Sequence, residues 1–240
     1  MGHDVFHNLG GGNNGVHCNT NNEVIRLDIQ NNNLTGTIPT EIYVLSNIES
    51  IDLNANFLQG SIPKKIGEEL VYLKELRLAN NQLNGTLPGT LQFLTDLSIV
   101  SLNGNSLQGA VSGLIKSAPA IDKLKHIDLS SNNFTGTIPD IFVFQSPLEK
   151  LFLNNNQFNG TIPQSLYSSP SLQIIDLSNN QLTGTIAQQI SGFTDVRRLL
   201  FDHNRLTGII PTQIIEMRDL EHFSLSHNNL SGSIFIYKQW

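Results

Sequence analysis

The chain is poor in the residues on which several classes of protein depend. A single cysteine among 240 residues excludes a disulfide scaffold and any zinc site built from cysteines. Charged residues make up only 14% of the chain, against roughly 25% in an ordinary soluble domain, and the net charge is -6. Because the chain lacks a basic surface for phosphate groups, no nucleic-acid partner is predicted.

Long apolar runs and targeting signals are missing as well. No stretch approaches the roughly 18 apolar residues that a membrane-spanning helix needs, so no span is predicted within this chain. The first residues, MGHDVFHNLGGG, lack the charged and apolar regions of a secretory signal peptide. The lack of a visible signal peptide agrees with a cytosolic chain. It agrees equally with a secreted chain whose upstream part is absent.

Sequence motifs for catalysis are equally scarce. The glycine-rich segment Leu9–Gly15 lacks the G-K-[ST] of a phosphate-binding loop, and no strand is predicted before it. No H-E-x-x-H motif occurs, and solvated surface positions are a simpler interpretation than zinc for the late histidines His203, His222 and His227. Since no oriented pair of nucleophile and base can be found, we predict no enzymatic activity, no cofactor and no metal.

Asparagine and glycine, in contrast, are abundant, with 28 and 19 copies, because one pattern recurs nine times. The segment from Val24 reads VIRLDIQNNNLTGTIP, and the phrase returns as IESIDLNANFLQGSIP from Ile48 and as LKELRLANNQLNGTLP from Leu73. One asparagine of each copy recurs at spacings of 24, 25, 24 and 27 residues and then of 24 residues four times. These ladder asparagines are Asn32, Asn56, Asn81, Asn105, Asn132, Asn156, Asn180, Asn204 and Asn228.

The repeat predicts its own structure. In L-x-L the two leucines point inward and alternate with residues that face solvent, so each copy begins with a short strand, parallel to that of the next copy. Stacked coils bury a leucine core that no single copy could bury. The ladder asparagine lies inward where the chain leaves the strand, and its amide bonds its own loop and the neighbouring coil. The Ile-Pro that follows predicts a second short extended segment.

The phrase N-x-L-x-G-x-I-P at this period resembles the plant-type extracellular leucine-rich repeat of receptor-like kinases, receptor-like proteins, polygalacturonase-inhibiting proteins and algal surface proteins. Gly15, Val16 and Cys18 are similar to the end of that family's N-terminal cap. The resemblance implies an α/β-type solenoid, a right-handed superhelix of about nine 24-residue coils with a parallel inner sheet and little helix. We expect a leader and cap remnant at 1–23, the repeat domain at 24–234 and a C-terminal end at 235–240.

The resemblance also implies an extracellular or cell-surface location. Cys18 would pair with a cap cysteine in that family, so either a free, semi-buried thiol or a lost partner is expected here. If the chain enters the secretory route, its Asn-X-Ser/Thr sequons are candidate N-glycosylation sites. These sequons lie at Asn33, Asn84, Asn133, Asn159 and Asn229.

Solvent-facing positions of the predicted strands are candidates for binding. Asp or Ser is the common choice at the central position, whereas Arg77, Phe152 and Leu200 depart from it, and a row of basic residues lies beside the last two. Aromatic and arginine residues on a rigid surface are the usual anchors of binding, although drift at tolerant positions would give the same pattern. The predicted patch comprises Lys150, Phe152, Ile174, Asp176, Arg198, Leu200 and His222.

Three functions agree with these observations. The first, implied by the resemblance, is a non-catalytic recognition module whose ligand is a protein, a peptide or a polysaccharide. The second is a secreted inhibitor of cell-wall enzymes or a structural wall protein. The third is ice binding, because a threonine follows the repeat glycine in five copies, at Thr37, Thr86, Thr137, Thr161 and Thr185.

Overall fold

The computed structural model describes residues 15–114, 123–140 and 146–233, which form a solenoid of stacked repeats with a parallel strand at the start of each repeat. The termini at 1–14 and 234–240, and most of the extra residues before the fifth repeat, lie outside the described residues. One antiparallel strand, β1, precedes the parallel ones and completes a ten-stranded sheet, called here the first sheet. Its strands are β1 (Gly15–Cys18), β2 (Val24–Asp28), β4 (Ser50–Asp52), β6 (Glu75–Arg77), β8 (Ile99–Ser101), β10 (His126–Asp128), β12 (Lys150–Phe152), β14 (Ile174–Asp176), β16 (Arg198–Leu200) and β18 (His222–Ser224).

A second sheet follows the first one along each coil. Its strands lie in the N-x-L-x-G-x part of the repeat, just before the Ile-Pro, where the proline backbone is extended as expected. Pro163 has φ of -65° and precedes a 3-10 helix as its N-cap residue, and Pro39, with φ of -67°, does the same in the first repeat. The strands are β3 (Thr35–Thr37), β5 (Phe57–Gly60), β7 (Gln82–Thr86), β9 (Ser106–Gly109), β11 (Asn133–Thr137), β13 (Gln157–Thr161), β15 (Gln181–Thr183), β17 (Thr207–Ile209) and β19 (Asn229–Ser231), the last two paired with each other.

Among the described residues, helix is scarce and short, as predicted. One α-helix, α1 (Lys65–Glu69), lies in the coil that has one extra residue, where the extra length completes an α-helical turn. Gly67 is needed in it, because a Cβ there would lie 2.3 Å from the backbone of Thr90 in the next coil. The other helical segments are 3-10 helices at Thr40–Val44, Gly89–Phe93, Val111–Gly113, Gln164–Ser168, Gln188–Gly192 and Thr212–Glu216.

Leucine, isoleucine and phenylalanine side chains form one core that runs through the stacked coils. Leu151 and Leu153 are fully buried while Phe152 between them is half-buried, which is the alternation that the repeat predicts. Phe134 and Phe158 of successive coils stack with their ring centroids 6.3 Å apart. Since each fully buried side chain of this size contributes about 1.5–3 kcal/mol, neighbouring coils stabilise one another through this shared core.

The ladder asparagines join each coil to the one before it. The amide nitrogen of Asn156 donates to the carbonyl of Leu129 in the preceding coil at 2.9 Å and to that of Leu153 at 3.2 Å. Its amide oxygen accepts from the backbone N–H of Phe134 at 2.9 Å. Asn32, in the first repeat, bonds only within its own loop and is exposed. The buried ladder asparagines of the later coils therefore form hydrogen bonds with buried backbone groups that would otherwise lack partners.

The residue before each ladder asparagine has a left-handed backbone, as at Asn155, whose φ is 55°. Asparagine adopts this conformation more readily than most residues, which is a second reason for its abundance in the chain. The repeat glycines are also left-handed: Gly160 has φ of 76°, and a Cβ there would lie 2.8 Å from the Cγ2 methyl of Thr137. That threonine is therefore packed against the neighbouring coil.

Cys18 lies on β1 and is free and exposed, so the expectation of a semi-buried thiol is wrong. As an antiparallel strand, β1 covers one edge of the first sheet with backbone hydrogen bonds. Within the described residues, no helix has the length and apolar character that crossing a membrane requires.

Candidate functional site

The structure brings the seven residues of the predicted patch onto four adjacent strands of the first sheet. One row across these strands consists of the register partners Lys150, Ile174, Arg198 and His222. A second row, two residues further along each strand, consists of Phe152, Asp176 and Leu200. With about 4.8 Å between strands, the patch is roughly 15 Å wide.

Lys150 and Arg198, the two cations of the patch, have no counter-charge bound to them among the described residues. Arg198 and His222 are exposed and Lys150 is half-buried. Across the described ranges, neither Lys150 nor Arg198 forms a salt bridge, although other lysines and arginines of the chain do. Ile174 separates the two charges along the row, so two hydrogen-bond donors flank an apolar side chain.

Asp176, the one carboxylate of the patch, is engaged with its own turn. Its Oδ1 accepts from the backbone N–H of Ser178 at 3.0 Å and from the hydroxyl of Ser178 at 2.6 Å. Burial raises the pKa of Asp176, and the hydrogen bonds from Ser178 and the charge of Arg198 oppose that rise without cancelling it. The carboxylate therefore does not hold Arg198 in a salt bridge.

His126 extends the patch by one strand, and sequence reasoning missed this. It is the register partner of Lys150, and its ring lies 5.8 Å from that of Phe152. Its Nε2 is buried with no hydrogen-bond partner, and burial lowers the pKa of this histidine. The neutral imidazole thus adds to the apolar side of the patch. His126 occupies the same repeat position as Lys150 in the preceding copy, and this equivalence could have identified it from the sequence.

The N-terminal part of the same sheet is different. Arg26 donates to Asp28 at 3.0 Å, and Arg77 lies 3.3 Å from Glu75 and 3.9 Å from Asp52. The expectation that these strand positions face solvent fails here, since Asp28 is 1% exposed and Asp52 5% exposed beneath the longer side chains. This N-terminal charge network, completed by Ser50, pairs two arginines with three carboxylates, although Arg26 Nε and Asp28 Oδ1 are buried there without a hydrogen-bond partner.

The outward face of the second sheet carries the threonines and the sequons. Thr37, Thr86, Thr137, Thr161 and Thr185 are all exposed. The five sequon asparagines, Asn33, Asn84, Asn133, Asn159 and Asn229, are exposed too. The residues of these strands are uncharged, and Arg205 precedes β17 by two residues.

The late histidines divide into two places. His203 and His227 stack in the turns after β16 and β18 with ring centroids 4.0 Å apart, whereas His222 lies on β18. His203 Nδ1 is 2.9 Å from Asp202, and hydrogen bonds from His203 and Ser224 lower the pKa of that carboxyl although burial opposes them. In the part of the chain that the structure describes, no group of three or more His, Cys, Asp or Glu side chains could hold a metal ion.

Family models of the leucine-rich repeat match residues 122–182 and 170–230 in one form and residues 23–45 and 72–94 in another. The chain is a leucine-rich repeat protein. Its repeats are of the plant type: a probable leucine-rich repeat receptor-like protein kinase of Arabidopsis thaliana is 43% identical over 42 residues, which are 18% of this chain and 4% of that protein.

Two solved structures illustrate what this fold does elsewhere. The Arabidopsis receptor kinase HAESA, in complex with the peptide hormone IDA and the co-receptor SERK1, is 33% identical with a TM-score of 0.79, over 85% of this chain and 34% of that one. A plant ice-binding protein is 25% identical with a TM-score of 0.74, over 91% of this chain and 77% of that one. The chain thus spans about a third of the receptor and most of the ice-binding protein.

Proposed function

We propose that this chain is an extracellular or cell-surface recognition module that binds a peptide or a segment of a protein through the predicted patch. The observation that carries the proposal is the pair of unpartnered cations, Lys150 and Arg198, on either side of Ile174. A rigid sheet offers these groups without ordering a loop, and such pre-organisation favours affinity. The peptide-hormone complex of HAESA supports the same use of the fold.

The chemistry of the patch defines the ligand further. Carboxylates of an acidic peptide would neutralise Lys150 and Arg198, and an apolar side chain would contact Phe152 and Leu200. Because the whole chain carries a net charge of -6, the patch would be a local exception that gives specificity rather than general attraction. A polysaccharide with carboxylates would satisfy the cations but not the apolar row, so we favour a peptide.

Selection from a displayed random peptide library tests this function. Peptides recovered on the chain should be rich in acidic and apolar residues. Their affinity should fall by about 1–3 kcal/mol in Phe152→Ala and in Arg198→Ala, as it does at anchor residues. Ser101→Ala, on the same sheet but outside the patch, serves as the control. A peptide whose affinity ignores both patch variants would contradict the proposal.

Ice binding is a second candidate, favoured by the likeness to the plant ice-binding protein and by the exposed threonines of the second sheet. It concerns a different surface from the predicted patch. The unmodified chain should then slow ice recrystallisation, and Thr161→Lys should abolish the effect by placing a charge among the hydroxyls. Thr40→Lys, outside that sheet, should not. Absence of any effect of the unmodified chain on ice growth would dismiss this candidate.

A further inference from the structure

All five sequon asparagines fall on one face of the solenoid. Asn133 begins β11, Asn229 begins β19, and Asn84 and Asn159 lie within β7 and β13. Asn33 precedes β3 by two residues, which is the period of a strand, so it falls in phase with the outward residues of β3. Neither the strands of the first sheet nor the helical segments contain a sequon asparagine. The chain therefore offers a single glycan-accepting face, the outward side of the second sheet.

Adjacent asparagines in the repeat have opposite environments. Asn132 is 7% exposed and its amide bonds the carbonyl of Leu102 and the N–H of Leu107 in the preceding coil. Asn133 is exposed, and within the described residues its side-chain amide makes no hydrogen bond. Asn228 and Asn229 differ in the same way: the amide of Asn228 bonds the preceding coil, whereas Asn229 is exposed. None of the ladder asparagines forms a sequon, so modification of the sequons would leave the ladder intact.

We propose that the outward face of the second sheet carries N-linked glycans, which leaves the first sheet as the open binding surface. This inference rests on the extracellular location in the proposed function. In the reaction, the amide Nδ2 of the sequon asparagine forms a bond to the anomeric carbon of a lipid-diphosphate-linked oligosaccharide. The bond from that carbon to the phosphate oxygen breaks, the lipid diphosphate leaves with the electron pair, and the nitrogen loses one proton to a base. No oxidation or reduction is involved.

The proposal also separates the two candidate functions. Asn159 shares a strand and a face with Thr161, and Asn133 shares them with Thr135 and Thr137. A glycan on either asparagine would stand among the threonine hydroxyls and keep a flat surface such as ice from them. A glycosylated chain would therefore bind ligands at the predicted patch and would not bind ice through the second sheet.

Site-by-site mass spectrometry tests the proposal on the 240-residue chain fused to an export signal and secreted from a eukaryotic host. Enzymatic release of the glycans in heavy-oxygen water converts each used asparagine to labelled aspartate. We expect label at the sequon asparagines and none at the ladder asparagines. Thr135→Ala should reduce label at Asn133 to background, whereas Thr137→Ala, two residues further on the same strand and face, should leave it unchanged.

A reference sequon in the export fusion shows that the host modifies this chain. Label at the reference together with unlabelled sequons in the folded repeats would overturn the proposal, and so would label at a ladder asparagine. Binding of the selected peptide is measured on the same preparations. Glycans without peptide binding would count against the proposed function alone, and peptide binding without glycans would count against this inference alone.

Discussion

The two ends of the first sheet share one framework and differ in how their charges are used. In the first three repeats, Arg26 and Arg77 are bonded to carboxylates of the same sheet, two of which are almost fully buried. In the sixth to eighth repeats, Lys150 and Arg198 have no such partners among the described residues. Charges that are already paired within the sheet offer a ligand less than unpaired ones do. We therefore interpret the N-terminal charge network as structural and propose that the predicted patch supplies the groups that bind a ligand.

The largest expected effect tests whether the framework is the same at both ends. Asn81→Leu and Asn156→Leu should each lower the free energy of unfolding by more than about 3 kcal/mol, because each leaves several buried backbone groups unpaired at about 1–3 kcal/mol apiece. Unfolding in urea measures both. Similar losses are expected because both amides make the same set of bonds to their own and the preceding coil.

The control for this pair is Asn133→Leu, an exposed position without side-chain hydrogen bonds. Asn155, the outward neighbour of Asn156, is a poor control because its left-handed backbone penalises leucine by about 1–2 kcal/mol. If the loss for Asn133→Leu matched that for Asn156→Leu, the assigned role of the ladder would be wrong.

A smaller effect separates the two ends by stability. Arg26→Ala should cost about 1–3 kcal/mol, because Asp28, which is 1% exposed, would lose its charged partner. Arg198→Ala should change stability by less than about 0.5 kcal/mol, since that side chain is exposed and unpaired. Thermal unfolding of the two variants provides the measurement. Equal shifts in Tm would remove the distinction between a structural and a free arginine.

The smallest effect concerns pH. Burial raises the pKa of Asp52 and of Asp176, so the folded chain holds a proton on each more readily than the unfolded chain. Their contribution to stability is therefore present below the ordinary value of 3.8 and is lost as pH rises from there through the higher pKa of each folded-state carboxyl. Asp52→Asn and Asp176→Asn should each raise stability at neutral pH, by less than about 1 kcal/mol, and the gain should vanish in acid.

Urea unfolding at several pH values follows this difference. Asp140 gives the opposite sign, because hydrogen bonds from Ser165 lower its pKa, so Asp140→Asn should lose stability at neutral pH and not in acid. A loss for Asp52→Asn at neutral pH would show that pairing with Arg77 outweighs burial at the N-terminal end.

Much of the fold follows from the repeat because the pattern is local and recurs. The period positions the strands of the first sheet, and the alternation around Leu151 identifies the buried side. The extended backbone at the Ile-Pro was predictable, but the sequence does not show that the paired strand β13 ends just before it and that Pro163 caps a 3-10 helix. The helix α1 (Lys65–Glu69) depends on one extra residue in its coil, and the period of the repeat alone does not show where in the coil that residue lies.

The candidate site was predictable only as a set of positions. Register brings Lys150, Ile174 and Arg198 into one row, and the repeat alone gives that register. Whether a charge is free or paired depends on side-chain reach between coils, as in the contact of Arg77 with Asp52, which the sequence does not report. The same limit concealed His126, whose importance arises from its contact with Phe152 in the next coil.

Hydroxyl-radical footprinting tests most directly that the predicted patch is the binding surface. The chain is oxidised alone and with the peptide recovered from the random library, and the modification of each side chain is read by mass spectrometry. We expect the peptide to protect Phe152 and Leu200. Phe57 and Phe93, which are 51% and 58% exposed on other faces, should be modified equally in both samples. Protection of Phe57 or Phe93 with Phe152 unchanged would contradict the account.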